Sequence, residues 1–316
     1  CQDCGGLAVI AGFTISLIYL LAVMSIEHSI DLFGEDQYYK KLIGFAIGII
    51  ILGIVCFIDD SKGGVHPLVK LTAQTISAII MVISGVRIDS IGIDFINDAP
   101  WSQAFYTILT IGWIVGITNA INLIDGLDGL STGVTIIASI SLLIIFSLNG
   151  AHIMAIILIT ALAGALIGFL PYNFNPAKTF IGDVGSDFLG FSLAVISILG
   201  VAKTYTAIVI VAPLIVLALP VFDTLFAIVR RLIKGKSLKA VIMPDRGHLH
   251  HKILDKGYSQ KQAVLIMYGI SATFGMFAII LLESGIWKAV SFALMIVVAM
   301  AIGYHSMFKM REDEKE

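Results

Sequence analysis

The sequence predicts an all-α fold, a polytopic transmembrane helical bundle of about ten spans, and three observations predict it. Hydrophobic residues fill 58% of the 316 positions, charged residues only 13%, and the mean hydropathy is +0.98. A soluble chain of this length needs far more polar surface to cover its core. The apolar residues also come in runs long enough to cross about 30 Å of hydrocarbon as helices, and the alternation of a membrane barrel is absent. Finally, lysine and arginine are partitioned between the connections.

The spans are expected at 5–26, 42–58, 67–85, 104–124, 131–148, 153–171, 188–202, 204–222, 263–282 and 288–308, the seventh being short. Polar clusters punctuate them in order. Asp59 and Asp60 close the second span; Asn119, Asn122, Asp125 and Asp128 close the fourth. Asp183 and Asp187 follow the sixth in "FNPAKTFIGDVGSDFLG", and "PDRGHLHH" follows the eighth. With ten spans both chain ends share a side, and fifteen of the twenty basic residues fall in one set of connections. The other set holds only Lys40, Lys41, Arg87, Lys203 and Lys288. The positive-inside rule makes the richer set cytoplasmic. One integral membrane domain, 1–316, is therefore expected, with a basic cytoplasmic loop over 223–262 that carries the histidines.

All four polar clusters land on the cytoplasmic side. An aspartate at a helix centre costs about 2.5–3.5 kcal/mol on insertion scales, and much less at the membrane edge, so these carboxylates are expected to face water. Transporters usually place ionisable groups near the midplane; here the span centres are almost uncharged. An enzyme whose substrate is half soluble and half lipid needs the arrangement seen.

Three cysteines, Cys1, Cys4 and Cys56, make no disulfide framework. The Cys1/Cys4 spacing has no second pair or nearby histidine to complete a zinc site. Asp59-Asp60 would repel without a cation nearby. Asn119, Asn122 and Asp125 step by three and share a helix face, and Gly126 and Gly129 then break the helix so that Asp128 turns back to the same side. "GDVGSD" reads as a glycine-flanked turn presenting Asp183, a hard oxygen ligand suited to Mg²⁺. Arg246, His248, His250 and His251 crowd into six residues; imidazoles bind zinc, but beside Arg246 they suit a phosphate or sugar phosphate better. Together these groups describe a site for phosphoryl chemistry, in which positioning and charge neutralisation do the catalytic work. Nothing in the pattern calls for nucleic acid.

The segments "FIDDSKGGVHPLVKLTAQ", "TNAINLIDGLDGLSTG", "NPAKTFIGDVGSDFLG" and "MPDRGHLHHKILDKGYS" resemble, in identity, order and spacing, the polyprenyl-phosphate N-acetylhexosamine-1-phosphate transferases. The resemblance covers essentially the whole chain. It implies transfer of a sugar 1-phosphate from a UDP-sugar to undecaprenyl phosphate in the bacterial plasma membrane, with release of UMP. Mg²⁺ is the implied cofactor, with Mn²⁺ as a substitute, and a homodimer is compatible with the family. By the same resemblance Asp59 and Asp60 lie where lipid phosphate meets metal, one acting as base or simply orienting the nucleophile. Lys70 holds phosphate, Asn122 and Asp183 contact the metal diphosphate, Asp125 supports them, Asn119 lines the substrate site and Asp128 helps recognise uracil. Arg246, His248, His250 and His251 grip the diphosphate and N-acetyl sugar.

Leu249 interrupts the histidines and Lys252 follows them, which resembles the UDP-N-acetylglucosamine branch that starts teichoic acids, O antigens and related glycans. The phospho-N-acetylmuramoyl-pentapeptide translocases, with three consecutive histidines and then an acidic residue, are the alternative; a transporter of nucleotide-sugars or lipid-linked sugars is another. The family pattern also implies a further N-terminal span before Gly5-Gly6, where this sequence reads Cys1-Gln2-Asp3-Cys4, so the chain is expected to be a fragment.

Overall fold

A computed structural model describes residues 5–27, 30–31, 34, 37–62, 64–91, 94–201, 207–235 and 247–296. The elements are α1 Gly5–Ile26, α2 Tyr38–Lys62, α3 Pro67–Ile83, α4 Asp94–Asn97, α5 Ser102–Ile124, α6 Leu130–Leu148, α7 Ile153–Asn173, α8 Gly182–Val201, α9 Ala207–Val216, α10 Ala218–Gly235, α11 Leu249–Asp255 and α12 Gln260–Ser284. An apolar helix Ile286–Ile296 follows. The described residues contain no strand. Seven helices are long and apolar enough to cross a bilayer, α1, α2, α5, α6, α7, α8 and α12. The protein is a polytopic helical membrane bundle.

Helix α8 is its axis. Every residue from Val184 to Gly200 is buried, as a helix apolar on all sides must be when protein surrounds it. Helices α1, α2, α5, α6 and α7 pack around it. In lipid no hydrophobic force drives helices together, so close backbone approach supplies much of the adhesion. Gly6 of α1 meets Gly185 of α8 so tightly that a Cβ on Gly6 would lie 2.4 Å from the Gly185 nitrogen.

The expected spans recur with shifts of a few residues at most ends, as in α2, expected over 42–58, and two boundaries differ for an identifiable reason. The short seventh span starts six residues early, because "GDVGSD" is the first turn and a half of α8 rather than a free turn. Gly182, at φ +64°, makes the bend, and Asp183 lies in the first turn, where a carboxylate suits the helix dipole. The eighth span, expected over 204–222, is two helices. Pro220 has no N–H to give Val216, so α9 ends there and α10 restarts with the proline in its first turn. Helix α10 then runs on to Gly235, taking up the front of the segment expected as a basic loop. Residues 236–246, including Arg246, lie outside the described residues, as does 297–308 of the last expected span.

Helix α10 is two-faced. Phe222, Leu225, Phe226, Val229 and Ile233 are exposed at helical spacing, while Asp223 and Arg230 point inward to hydrogen-bond the residues before α11.

The Gly6 contact is with backbone and cannot yield, so Gly6→Ala is expected to destabilise by about 1–3 kcal/mol, read as a lower unfolding midpoint in detergent. Gly12→Ala, whose Cβ would meet Ala165 at an ordinary 3.7 Å, is expected to change the midpoint little.

Candidate active site

The ends of α2, α5 and α7 and the starts of α3, α6 and α8 gather at one end of the bundle, and most of the sequence-predicted residues meet there. Lys70, on the first turn of α3, is the junction. Its Nζ lies 2.7 Å from Asp183 Oδ2 and 3.3 Å from Asp59 Oδ2. Of the two neighbouring aspartates, Lys70 therefore pairs with Asp59, while Asp60 is held by backbone donors. Asn122, at the end of α5, donates from Nδ2 to Asp183 Oδ1 at 2.9 Å and to Ser186 Oγ at 2.9 Å.

Adjacent residues on a helix diverge by about 100°, and the two aspartates take different roles. Asp59 is 9% exposed and, besides Lys70, accepts from the Val65 N–H. Asp60 is exposed and reaches over the start of α8, accepting from the Asp183 N–H at 3.3 Å and the Val184 N–H at 3.5 Å. It caps α8 from another helix, satisfying donors that a helix start leaves open.

One helical turn deeper lies a second polar layer. Asp187, 1% exposed, accepts from Cys56 Sγ at 3.2 Å and Gln74 Nε2 at 3.1 Å, and Gln74 accepts from Asn119 Nδ2. Each of these four lies three or four residues from a group of the upper layer on the same helix. Not every carboxylate faces water, then: Asp59 and Asp187 are interior. Asn119 is turned onto Gln74 rather than toward the upper layer.

The loop between α5 and α6 forms as the glycines suggest. Gly129, at φ +76°, starts α6. Asp125 accepts from Ser131 Oγ at 2.6 Å; burial, with the charges of Asp183 and Asp60 adding to it, pushes its carboxyl up to about 7 against that hydrogen bond. Asp128, expected to turn back to the side of Asn122 and Asp125, accepts from Asn175 Nδ2 at 2.9 Å and the Ala177 N–H at 3.1 Å, docking the "NPAK" segment.

The histidines close the site from the side. His248 Nδ1 is 2.8 Å from Asp223 Oδ2, and its ring stacks on His250, centroids 5.8 Å apart; His251 is 4.2 Å beyond. His250 is buried against Gly126, where a Cβ would come within 2.5 Å of Nε2. Neither of its ring nitrogens has a hydrogen-bond partner among the described residues. Burial, with His251 beside it, lowers its pKa to about 4. Gln74, Ser186 and Asp223 were not singled out by the sequence, and Asp187 was placed with Asp183 rather than a turn deeper. Asp223 had a signal, as a lone acid at the end of the eighth apolar run.

A helical membrane bundle whose carboxylates, amides and lysine converge at one end defines an integral membrane protein with a built polar site there. Comparison with known proteins specifies it: the profile of glycosyl transferase family 4 matches residues 42–201. A Bacillus subtilis (strain 168) protein named as a probable undecaprenyl-phosphate N-acetylglucosaminyl 1-phosphate transferase is 36% identical over 94% of this chain and 78% of its own length. The chain belongs to this transferase family. A decaprenyl-phosphate N-acetylglucosaminephosphotransferase of Mycolicibacterium smegmatis is 33% identical over 80% of the chain and 66% of its own length. A phospho-N-acetylmuramoyl-pentapeptide-transferase of Staphylococcus epidermidis is 37% identical over 62% of the chain and 61% of its own length.

Because His250 is buried neutral, its folded pKa, about 4, lies below the ordinary 6.5. Its contribution to stability is complete above pH 6.5 and is lost as pH falls toward 4, where only the unfolded state takes up the proton. The unfolding midpoint of the wild type in detergent should fall between pH 7 and pH 4.5 more steeply than that of His250→Asn; parallel curves would refute this.

Proposed function

We propose that the protein transfers N-acetylglucosamine 1-phosphate from UDP-GlcNAc to undecaprenyl phosphate, releasing UMP, on the cytoplasmic face of a bacterial plasma membrane. The observation that carries the reading is the convergence of Asp59, Asp60, Lys70, Asn122 and Asp183 from α2, α3, α5 and α8 on one point. The relatives' names support prenyl-phosphate hexosamine-1-phosphate transfer as the class of reaction. The fifteen-to-five division of basic residues supports the cytoplasmic face. Relatives named for N-acetylglucosamine match a larger share of the chain, 94% and 80%, than the pentapeptide transferase at 62%, which favours UDP-GlcNAc as donor. A lipid-linked GlcNAc of this kind starts a cell-wall or surface glycan of the teichoic-acid or O-antigen type.

In the reaction an oxygen of the lipid phosphate attacks the sugar-bearing phosphorus. A new P–O bond forms, the bond from that phosphorus to the bridging oxygen breaks, and UMP leaves with the electron pair. Lys70 supplies positive charge for the phosphates. Asp59 is committed to Lys70, so Asp60, at the surface, is the carboxylate that takes a proton from the acceptor phosphate or orients it. An apolar groove of about 470 Å³ between α5 and α10, with Ile108, Trp113, Ile117, Val221 and Leu225 in its walls, suits the isoprenoid chain.

Mg²⁺ fits the donor set. Among the described residues no three acidic, histidine or cysteine side chains form a cage. Asp183, with Asp60 and the Asn122 amide nearby, offers the one or two hard protein oxygens that Mg²⁺ takes before completing its shell with water and phosphate. Bound there, the ion would neutralise the diphosphate and stabilise charge developing on the leaving phosphate.

Incubation of the protein with UDP-GlcNAc, Mg²⁺ and undecaprenyl phosphate should release UMP, and Asp183→Asn should lower the rate by orders of magnitude with near-normal folding. Substantial Mg²⁺-dependent activity in Asp183→Asn would move the metal to another residue. Preference for UDP-MurNAc-pentapeptide in the same assay would favour the other branch. Single cysteines at positions 60, 128 and 183 should be labelled from the cytosol and one at 101 from outside; outside labelling at 60 or 183 would overturn the assigned face.

A further inference from the structure

Asp223 lies on the inward face of α10, a helix that otherwise offers mostly apolar side chains, and both of its carboxylate oxygens are engaged. Oδ2 meets His248 Nδ1 at 2.8 Å and Oδ1 accepts the Leu249 N–H at 2.8 Å; the Asp223 side chain is 8% exposed and that of His248 5%. Two turns along the same face, Arg230 Nη1 donates to the Gly247 carbonyl at 2.6 Å. The stretch from Gly247 to Leu249, which opens α11, is thus pinned to one helix at both ends. His248 then stacks on His250, which lies against Gly126, between Asp125 and Asp128.

We propose that Asp223 is the positioning residue of the histidine motif, fixing one tautomer and one orientation of His248 so that Nε2 is the ring atom presented to the sugar nucleotide. The chemistry follows from the partner. An ionised carboxylate only accepts, so His248 carries a proton on Nδ1, and in the tautomer this selects Nε2 is the acceptor. An acceptor there matches a hydroxyl or amide N–H of an N-acetylhexosamine. Without Asp223 the ring is free to exchange tautomers and to turn, and a carboxylate that fixes an imidazole in this way is worth far more than its own hydrogen bond. Arg230 and the Leu249 N–H contact set the backbone, so that the ring is held by Asp223 and the stack together.

The inference rests on the reading of this loop as the donor-binding loop, and the test separates the two. Wild type, Asp223→Asn, His248→Gln and the double variant are purified in detergent; kcat and KM for UDP-GlcNAc are measured, together with the rise in unfolding midpoint produced by UDP-GlcNAc and by UMP. Each single variant should lose at least about tenfold in kcat/KM, and the double variant should fall within about twofold of the worse single one, because the two residues act as a unit. The UDP-GlcNAc-induced rise should shrink in all three variants while the UMP-induced rise is kept. Multiplying losses, an unchanged response of Asp223→Asn to UDP-GlcNAc, or parallel losses of both ligand responses would overturn the proposal. A wild type that releases no UMP but shows the expected pattern of ligand responses would overturn the transferase reading and leave Asp223 as the positioning residue; a wild type with no UDP-GlcNAc response would overturn both.

Discussion

One ammonium group organises the end of this bundle. Lys70 bridges Asp59 of α2 and Asp183 of α8 from its own place on α3. Remove its charge and two carboxylates are left crowded together in a partly buried space; breaking such a pair by deleting one partner costs on the order of 3–5 kcal/mol in protein interiors. The same contact ties the register of three helices together, so the position of Asp183, and through it of Asn122, depends on Lys70 being charged and in place.

The layer beneath makes that arrangement stiff. Asn119, Gln74, Asp187 and Cys56 form a chain of side-chain hydrogen bonds through α5, α3, α8 and α2, each a turn below a group of the upper layer. Polar groups at that depth are tolerated where they bond one another, and a connected network specifies one packing where apolar contacts alone permit several. Tight helix contacts such as Gly6 on Gly185 hold α8 in the same register. Asp60 completes it by capping α8 from α2.

The sequence made the span ends legible because lipid imposes length and polarity, and a carboxylate at the end of an apolar run is conspicuous. Asp59, Asn122 and Asp183 were legible for that reason, and Lys70 only through the resemblance carried by its segment. What hid was whatever looked like an isolated exception inside a run. Gln74 and Cys56 have no local pattern, since their meaning is a contact across helices, and Asp187 stood out in sequence while its depth and partners did not. "GDVGSD" read as a turn because two glycines outweigh helix propensity in isolation; the cap offered by Asp60, more than a hundred residues earlier, makes it helical. Asn119 shares a face with Asn122 but lies a turn deeper, a distinction periodicity does not carry. The division of α9 from α10 turns on Pro220, which an unbroken hydropathy profile conceals.

Helix α10 joins two environments. Its outward stripe, Phe222, Leu225, Phe226, Val229 and Ile233, touches the surroundings of the bundle, while Asp223 and Arg230 on its inner side hold the start of the histidine segment. The imidazole stack is therefore one helix away from whatever surrounds α10. Lys70 stands in the same relation to its own surroundings through α3, where Leu68, Val69 and Leu71 beside it are exposed. A change of detergent or lipid would accordingly reach the histidine segment and the lysine junction through separate helices, and the surrounding membrane becomes one of the determinants of how firmly each is held.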